Sequence, residues 1–302
     1  MNMASKSESA PSGIRSIRYD GTPAPVRKAR AALTGYAAVR YVLVILVFLF
    51  FAFPIYWLVT LSFKADVDAW IIPPKWTFAP TLEHYEKLIT TWPFFTYYLN
   101  SFIVVCGALS VAVLLGVPLA YALARFKWRQ TRNISFIILN QLMMPPAAVV
   151  VPFYLICRQL GILQTLWAPM LVYVAFTLPF ITWIMKGFFE SVPHDIEEAA
   201  LVDGAGNFQV LWHIVLPLVL GALSSTTLLA TITIWNEFFF ALVLTGSKTY
   251  TAPVAIMGLW TQYTVYWGSI AAGGVLISLP IVIVGLIVQR HLVTGLTFGA
   301  VK

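Results

Sequence analysis

The chain has 302 residues, of which 60% are hydrophobic and 10% are charged. A soluble domain is about 45–50% apolar and about 25% charged, so this composition excludes an ordinary soluble fold and predicts a protein surrounded by lipid. The formal charge of +7 does not by itself indicate nucleic-acid binding, because basic residues also mark the cytoplasmic loops of membrane proteins.

Residues 1–40 are rich in Ser, Pro, Ala and Arg and contain no long apolar run. They are predicted to form a disordered, basic cytoplasmic tail. A cleavable signal peptide is not expected, because the apolar segment that follows is long enough to span a membrane.

A membrane-spanning helix needs about 20 mainly apolar residues, and six segments of residues 41–302 meet this requirement. They are, in chain order, residues 41–63, 99–124, 135–157, 168–188, 216–245 and 269–289. The third segment contains Pro145 and Pro146, where the helix must kink because proline has no backbone N–H. The sequence therefore predicts an all-α polytopic membrane protein with six transmembrane helices in one domain.

The positions of the Lys and Arg residues predict the orientation of these helices. If the N-terminus is cytoplasmic, most of the 19 Lys and Arg residues lie on the cytoplasmic side, as the positive-inside rule requires. Both termini, including a C-terminal tail of residues 290–302, are therefore expected in the cytoplasm. Because the basic residues are explained by topology, membrane lipid is an expected partner and nucleic acid is not.

Residues 189–217 join the fourth and fifth predicted spans and are the most informative segment. They predict a short helix that Ser191 caps and Gly204 ends, followed by a second short helix that leads into the fifth span. Acidic residues fill the first turn of the first helix, where the helix dipole favours them. An acidic helix on the cytoplasmic side is typical of a docking element, and an ordinary amphipathic connector is the alternative.

The spacing of residues in this loop resembles the signature loop of the permease subunits of binding-protein-dependent ABC importers. That signature is Glu-Ala-Ala, three residues, Gly, nine residues and Ile-x-Leu-Pro. The matching positions, together with the Asp that precedes the glycine, are Glu198, Ala199, Ala200, Asp203, Gly204, Ile214, Leu216 and Pro217. The resemblance implies that the loop is a coupling helix, which inserts into a cleft of a cytosolic ATPase and passes ATPase closure to the bundle.

Residues 41–302 look most similar to the shorter permease subunit of the maltose-type sugar importers. Strings that support this similarity include AYALARFKW, QLMMPP, LPFITWIMKGFF, WNEF and QRHLVTGLTFGAVK. The resemblance implies a type I importer bundle in the bacterial cytoplasmic (inner) membrane that carries a sugar or sugar-derived solute inward. The implied partners are a second homologous permease, a cytosolic ABC ATPase dimer and a periplasmic or extracellular solute-binding protein. A second ATPase contact is implied in the C-terminal tail, at Gly295, Leu296, Gly299 and Lys302.

The chain is not expected to be an enzyme. It has no Gly-x₄-Gly-Lys-Ser/Thr phosphate loop, so ATP and Mg are expected in the partner ATPase, and no cofactor, catalytic residue or metal site is expected here. The two cysteines, Cys106 and Cys157, lie in apolar runs and do not form a disulfide framework.

Polar residues inside the predicted spans are candidates for the solute path. Glu237, next to Asn236 in the fifth span, is expensive in hydrocarbon unless it faces a cavity or a partner. Asn140 and Gln141 precede the Pro145–Pro146 kink. Structural pairing between helices is the alternative for all four residues. An ion-coupled secondary transporter is the alternative function, although Glu237 is the only carboxylate well inside a predicted span.

Overall fold

The computed structural model describes the backbone of residues 24–69, 71–126, 128–260 and 265–297, and the side chains of these ranges between residues 39 and 287. Within these ranges the regular secondary structure is helical, apart from an isolated β-bridge between Trp260 and Val265. The first helices are α1 (Ala24–Ser62), α2 (Asp66–Ala69), α3 (Glu83–Thr90), α4 (Phe94–Arg125), α5 (Thr131–Leu142), α6 (Pro146–Gln159) and α7 (Trp167–Ser191). The later ones are α8 (His194–Val202), α9 (Asn207–Gln209), a π-helical segment (Val210–Val215), α10 (Leu216–Leu218), α11 (Leu220–Trp235), α12 (Phe239–Leu244), α13 (Ala252–Met257) and α14 (Trp267–Thr297).

The chain divides into two units, residues 1–55 and residues 56–302. In the first unit, nearly all described side chains from Val39 onward are apolar and exposed. A helix that is apolar on every side is stable in lipid, where its backbone groups are already hydrogen-bonded. The helix begins at Ala24, inside the segment expected to be disordered. Alanines, which have the highest helix propensity, and a proline at the second helical position account for this earlier start.

Four of the six predicted spans are continuous helices in the structure. Val39–Ser62 of α1, α4, α7 and Trp267–Ile287 of α14 are each long and apolar enough to cross a membrane. The third and fifth predicted spans are not continuous helices, and the third breaks at the predicted Pro145–Pro146 kink. The third is bent by 101° between α5 and α6, and the fifth by 81° between α10 and α11. If each bent pair crosses the membrane as one broken span, the bundle has six spans.

The bends have local causes. Pro145 is extended, with ψ 129°, because the proline that follows it excludes the helical conformation. The bend between α10 and α11 lies at Val219, which has φ −105° and ψ 16°. The fifth predicted span is interrupted again between Trp235 and Phe239, where α11 ends and α12 begins.

Residues 56–302 pack around two clusters of buried apolar side chains. One cluster joins α3 and the first half of α4 to α12 and α13, and the other joins the second half of α4 to the end of α7 and the π-helical segment. Between them α4 approaches α7 closely at Gly116, where a Cβ atom would lie 3.2 Å from Ile181 and 3.3 Å from the hydroxyl of Thr182. A small residue is therefore needed here, as at many helix contacts in membranes.

Candidate functional site

α8 begins at His194 after a sharp change of chain direction. Val192 and Pro193 are extended, with ψ of 127° and 136°, and Pro193 is the residue before the first helical position. The prediction that Ser191 caps this helix is wrong. The hydroxyl of Ser191 donates instead to the carbonyl of Phe188 at 2.7 Å, so this residue belongs to the end of α7.

Gly204 ends α8, as predicted. It has φ +88°, a left-handed conformation that glycine adopts without steric cost. Its N–H donates to the carbonyl of Leu201 at 3.1 Å, and the N–H of Ala205 donates to the carbonyl of Ala200 at 3.0 Å. Nothing lies within 4 Å of the position that a Cβ atom would take, so the requirement for glycine here comes from the backbone and not from crowding.

One face of α8 is exposed and mainly apolar. Glu198, Leu201 and Val202 share this face at helical spacings of three and four residues. Val202 is 87% exposed, and Phe208 on the adjacent α9 is 71% exposed. Glu198 forms no hydrogen bond or ion pair with any residue that the structure describes. We call Glu198, Leu201, Val202 and Phe208 the docking face. Exposed large apolar side chains close in sequence to a carboxylate without a described partner are typical of an interaction site.

A neighbouring side of α8 is fixed to α4 through Glu197, which is only 6% exposed. Arg125 Nε donates to Glu197 Oε1 at 2.6 Å, and the hydroxyl of Tyr121 donates to Oε2 at 2.8 Å. Arg125 Nη2 also donates to the carbonyl of Val192 at 2.9 Å. We call these four residues the Glu197 clamp. Its charge-assisted hydrogen bonds, shielded from water, are the strong class of such contacts.

Sequence reasoning missed the Glu197 clamp, because it grouped Glu197 with the acidic residues of an exposed first turn. The string AYALAR held a usable signal. Tyr121 and Arg125 are four residues apart at the end of α4, so they lie on one helix face and could have been predicted to meet a common partner.

The remaining signature residues lie where the loop enters the fifth span. Ile214 is half-buried, Leu216 is buried and Pro217 is exposed. The π-helical segment Val210–Val215 precedes them. Pro217 has no N–H to donate to the carbonyl one helical turn earlier, and the missing bond favours the π-helical conformation of the preceding segment. All eight predicted coupling residues therefore belong to one continuous loop, α8 to α10.

Glu237 lies in the break between α11 and α12 and is hydrogen-bonded within the chain. Its Oε1 accepts from the N–H of Phe240 at 2.9 Å, and its Oε2 accepts from the N–H of Ala241 at 3.2 Å and from the hydroxyl of Tyr173 at 2.5 Å. These contacts correspond to the structural pairing that the sequence left as an alternative. The carboxylate binds the free N–H groups at the start of α12, which is the role of a helix cap.

The other three path candidates are amides. Asn236 is exposed and donates through Nδ2 to the carbonyl of Ile232 at 2.8 Å. Asn140 is exposed and Gln141 half-buried, at the end of α5 just before the 101° bend. The four predicted path residues thus lie at two separate helix breaks.

The predicted C-terminal contact lies outside the fully described residues. Gly295 and Leu296 are in the backbone of α14, beyond the last described side chain, and Gly299 and Lys302 are beyond the last described residue.

Comparison with known proteins identifies the family. A sequence model of the family described as "Binding-protein-dependent transport system inner membrane component" matches residues 112–297. A probable ABC transporter permease protein of Sinorhizobium fredii, y4oR, is 38% identical over 252 residues, which cover 83% of this chain and 91% of the relative. The trehalose/maltose transport system permease protein MalG of Thermococcus litoralis is 35% identical over 254 residues, covering 83% of this chain and 91% of the relative.

The fold is also that of a solved importer. A chain from the crystal structure of a bacterial ABC transporter involved in the import of the acidic polysaccharide alginate has a TM-score of 0.70 and 25% identity to this chain. The match covers 84% of this chain and 95% of that one. These findings confirm the predicted all-α type I importer bundle, and the ion-coupled alternative is not favoured. The chain therefore belongs to the family of binding-protein-dependent transport system inner membrane components, as a non-catalytic permease subunit of an ABC importer whose ATPase is a separate subunit.

Proposed function

We propose that this permease imports a sugar or a sugar-derived solute into the cytoplasm. The relative from Thermococcus litoralis is named for trehalose and maltose, and the structural match is a transporter of a polysaccharide. The proposal is tested by tracer uptake into proteoliposomes that contain the complete transporter, with a panel of labelled disaccharides, polyols, amino acids and ions. We expect ATP-dependent uptake of a saccharide or polyol. Uptake confined to amino acids or ions contradicts the proposal.

The docking face of α8 binds a cleft of the cytosolic ABC ATPase. The single observation that carries this proposal is the exposure of the apolar side chains Leu201, Val202 and Phe208 in the same loop as Glu198, whose carboxylate has no partner among the described residues. Apolar side chains provide the free energy of association when they are buried, and a carboxylate selects a partner with a basic group at the edge of its cleft. Asp203 and Gly204 set the turn that presents this face.

The docking proposal predicts that Val202→Asp and Glu198→Arg weaken ATPase binding. An added charge at an apolar contact, or a reversed charge at a salt bridge, costs an interface about 2–5 kcal/mol, enough to remove most of the ATPase that co-purifies with the permease. Arg129→Ala is the matched control, because Arg129 is an exposed residue of another loop. Unchanged co-purification and ATP-driven uptake in both variants would contradict the proposal.

The complete transporter contains a second homologous permease, two ATPase copies that hold ATP and Mg, and an external solute-binding protein. The family description, which names a binding-protein-dependent system and an inner membrane component, supports these partners and the location. The C-terminal residues Gly295, Leu296, Gly299 and Lys302 form a second ATPase contact. Both termini are cytoplasmic, as the distribution of basic residues indicates. Labelling of Lys302→Cys by an impermeant reagent in intact cells would contradict this orientation.

Solute contact in this chain is made by the amides at the two helix breaks. Asn140, Gln141 and Asn236 carry groups that can donate and accept hydrogen bonds with sugar hydroxyls, and unwound backbone in membranes is tolerated where it lines a cavity. Glu237 supports the break between α11 and α12 from within the chain, because its oxygens already accept three hydrogen bonds. We expect Asn236→Ala to weaken solute affinity while leaving ATPase binding unchanged.

A further inference from the structure

α4 is hydrogen-bonded at both ends to loops. Near Arg125 it holds α8 through the Glu197 clamp. Near Phe94 it holds residues 247–252, which comprise the loop after α12 and the first residue of α13 and are called the loop of residues 247–252. The four bonds to that loop run from the Tyr97 hydroxyl to the Ser247 carbonyl (3.0 Å), from Asn100 Nδ2 to the carbonyls of Lys248 (3.3 Å) and Tyr250 (3.1 Å), and from the Ala252 N–H to Ser101 Oγ (2.8 Å).

The two contact sites are joined by one continuous helix. α4 has 32 residues, and the stretch from Asn100 to Arg125 is about 38 Å long at 1.5 Å per residue. Asn100 and Ser101 are buried, as is Tyr121. Close packing against α7 at Gly116 supports the middle of the helix. Pro118 lies inside this stretch and removes one backbone hydrogen bond, but the helix continues through it and packs against α7 at the neighbouring Gly116, so one continuous helix connects the two ends of the bundle.

Apart from the Glu197 clamp, the described contacts of α8 include that of Ala200, which packs against the buried cluster of α4, α7 and the π-helical segment. The chain that joins α7 to α8 passes through Val192, which is extended. The chain that joins α8 to α9 passes through Gly204, which is left-handed. Arg125 binds both the carboxylate of Glu197 and the carbonyl of Val192. One side chain of α4 therefore holds both α8 and the residue that joins α8 to α7.

We propose that α4 is a strut that passes the position of α8 to the loop of residues 247–252 on the opposite side of the membrane. The proposal rests on the proposed docking of α8 to the ATPase. Tyr121 and Arg125 at one end, and Asn100 and Ser101 at the other, are positioning residues. Nucleotide-driven movement of α8 changes the exposure of the loop of residues 247–252. Because such coupling is reciprocal, a conformational change of this loop also changes the position of α8.

The test needs no knowledge of the solute. Ser247→Cys is introduced into a chain that carries Cys106→Ser and Cys157→Ala, within the complete transporter. Its labelling by an impermeant maleimide is timed in the resting state and after trapping with MgATP and vanadate. We expect the labelling rate to change about 5- to 50-fold on trapping, the range of typical coupling between sites. An unchanged rate at Ser247→Cys in a fully trapped transporter overturns the proposal.

Breaking either end of the strut should remove this response. Glu197→Gln and, separately, Asn100→Ala are expected to reduce the change in labelling rate on trapping from about 5- to 50-fold to less than about twofold. The double variant is expected to behave like either single variant, because both lesions interrupt one route, whereas independent effects would multiply. Glu190→Gln, which breaks an exposed pair with Lys186, and Thr90→Ala in α3 are controls expected to keep the full response.

Failure of the strut and failure of docking give different results. If docking of α8 is wrong, Val202→Asp leaves ATPase co-purification and vanadate trapping unchanged. If only the strut is wrong, trapping still depends on the docking face, and Glu197→Gln keeps the full change in labelling. Should Glu197→Gln fail to assemble, Tyr121→Phe removes one bond of the Glu197 clamp and is expected to reduce the response by at least half. A full response in Tyr121→Phe then overturns the proposal.

Discussion

Replacing Glu197 by alanine tests whether the clamp stabilises the fold as its geometry requires. The change leaves the guanidinium of Arg125 buried without its carboxylate and removes the acceptor of the Tyr121 hydroxyl. The side chains of Arg125 and Glu197 are only 5% and 7% exposed, so water does not replace the lost contacts. Removing one partner of a buried ion pair costs about 3–5 kcal/mol.

The matched control is Glu190→Ala. Glu190 pairs with Lys186 one helical turn away, and their side chains are 50% and 19% exposed. Such helix-surface pairs contribute about 0.3–0.5 kcal/mol, roughly a tenth of the cost expected at Glu197. The two changes remove the same side chain within the same part of the molecule, and they differ mainly in burial.

Thermal unfolding of the detergent-solubilised permease separates these values. For a domain of 150–250 residues, 1 kcal/mol shifts the melting temperature by about 2–4 °C. Glu197→Ala is therefore expected to lower it by roughly 6–20 °C, and Glu190→Ala by about 2 °C or less. The double variant Arg125→Met, Glu197→Leu should recover most of the lost melting temperature, since it leaves no buried charge unpaired. Equal shifts for the two single variants would refute the reasoning.

Three further predictions follow from single contacts. Gly204→Ala should cost about 1–2 kcal/mol of unfolding free energy, because a left-handed backbone penalises a Cβ atom, and Gly204→Asn should cost less; equal losses contradict the conformational explanation. Glu237→Ala should abolish uptake while Glu237→Gln keeps part of it, because the amide oxygen still accepts one N–H of α12; Tyr173→Phe should resemble Glu237→Gln. The hydrogen bond from Lys87, with its charge, lowers the pKa of Glu83, and the bond to Glu83 raises the pKa of Lys87. This pair should therefore stabilise α3 above the unfolded pKa of Glu83 and below that of Lys87. Its small contribution to stability should be lost as pH falls through the lowered pKa of Glu83, or as pH rises through the raised pKa of Lys87. The melting temperatures of the parent and of Glu83→Gln should therefore converge in acid and differ most near neutral pH. A constant difference contradicts this account.

Composition and local chemistry predicted much of the fold. Runs of about 20 apolar residues identified the four continuous spans, because the thickness of the bilayer sets their length. Gly204 was predicted to end α8 because few other residues adopt a positive φ without cost. The kink at Pro145 was predicted from the missing N–H, although its size, 101°, depends on packing that a local rule does not contain.

Contacts between distant segments were not predicted. Arg125 and Glu197 are separated by 72 residues, and nothing in either local pattern names the other as its partner. The same holds for the bond between Tyr173 and Glu237, 64 residues apart, which belongs to the structural pairing that the sequence left as an alternative. The bend at Val219 is different, because Pro217 and Gly221 stand two residues to either side and both weaken a helix, so this stretch did carry a local signal.

The most direct measurement of the central claim is a photo-crosslink from the docking face. A benzophenone amino acid at Val202 is expected to form an adduct with the cytosolic ATPase, and one at Leu114, an exposed apolar residue in the middle of α4, is expected to form none with it. An adduct between Val202 and an external protein, or the absence of any ATPase adduct in a transporter that still couples ATP to uptake, would contradict the account.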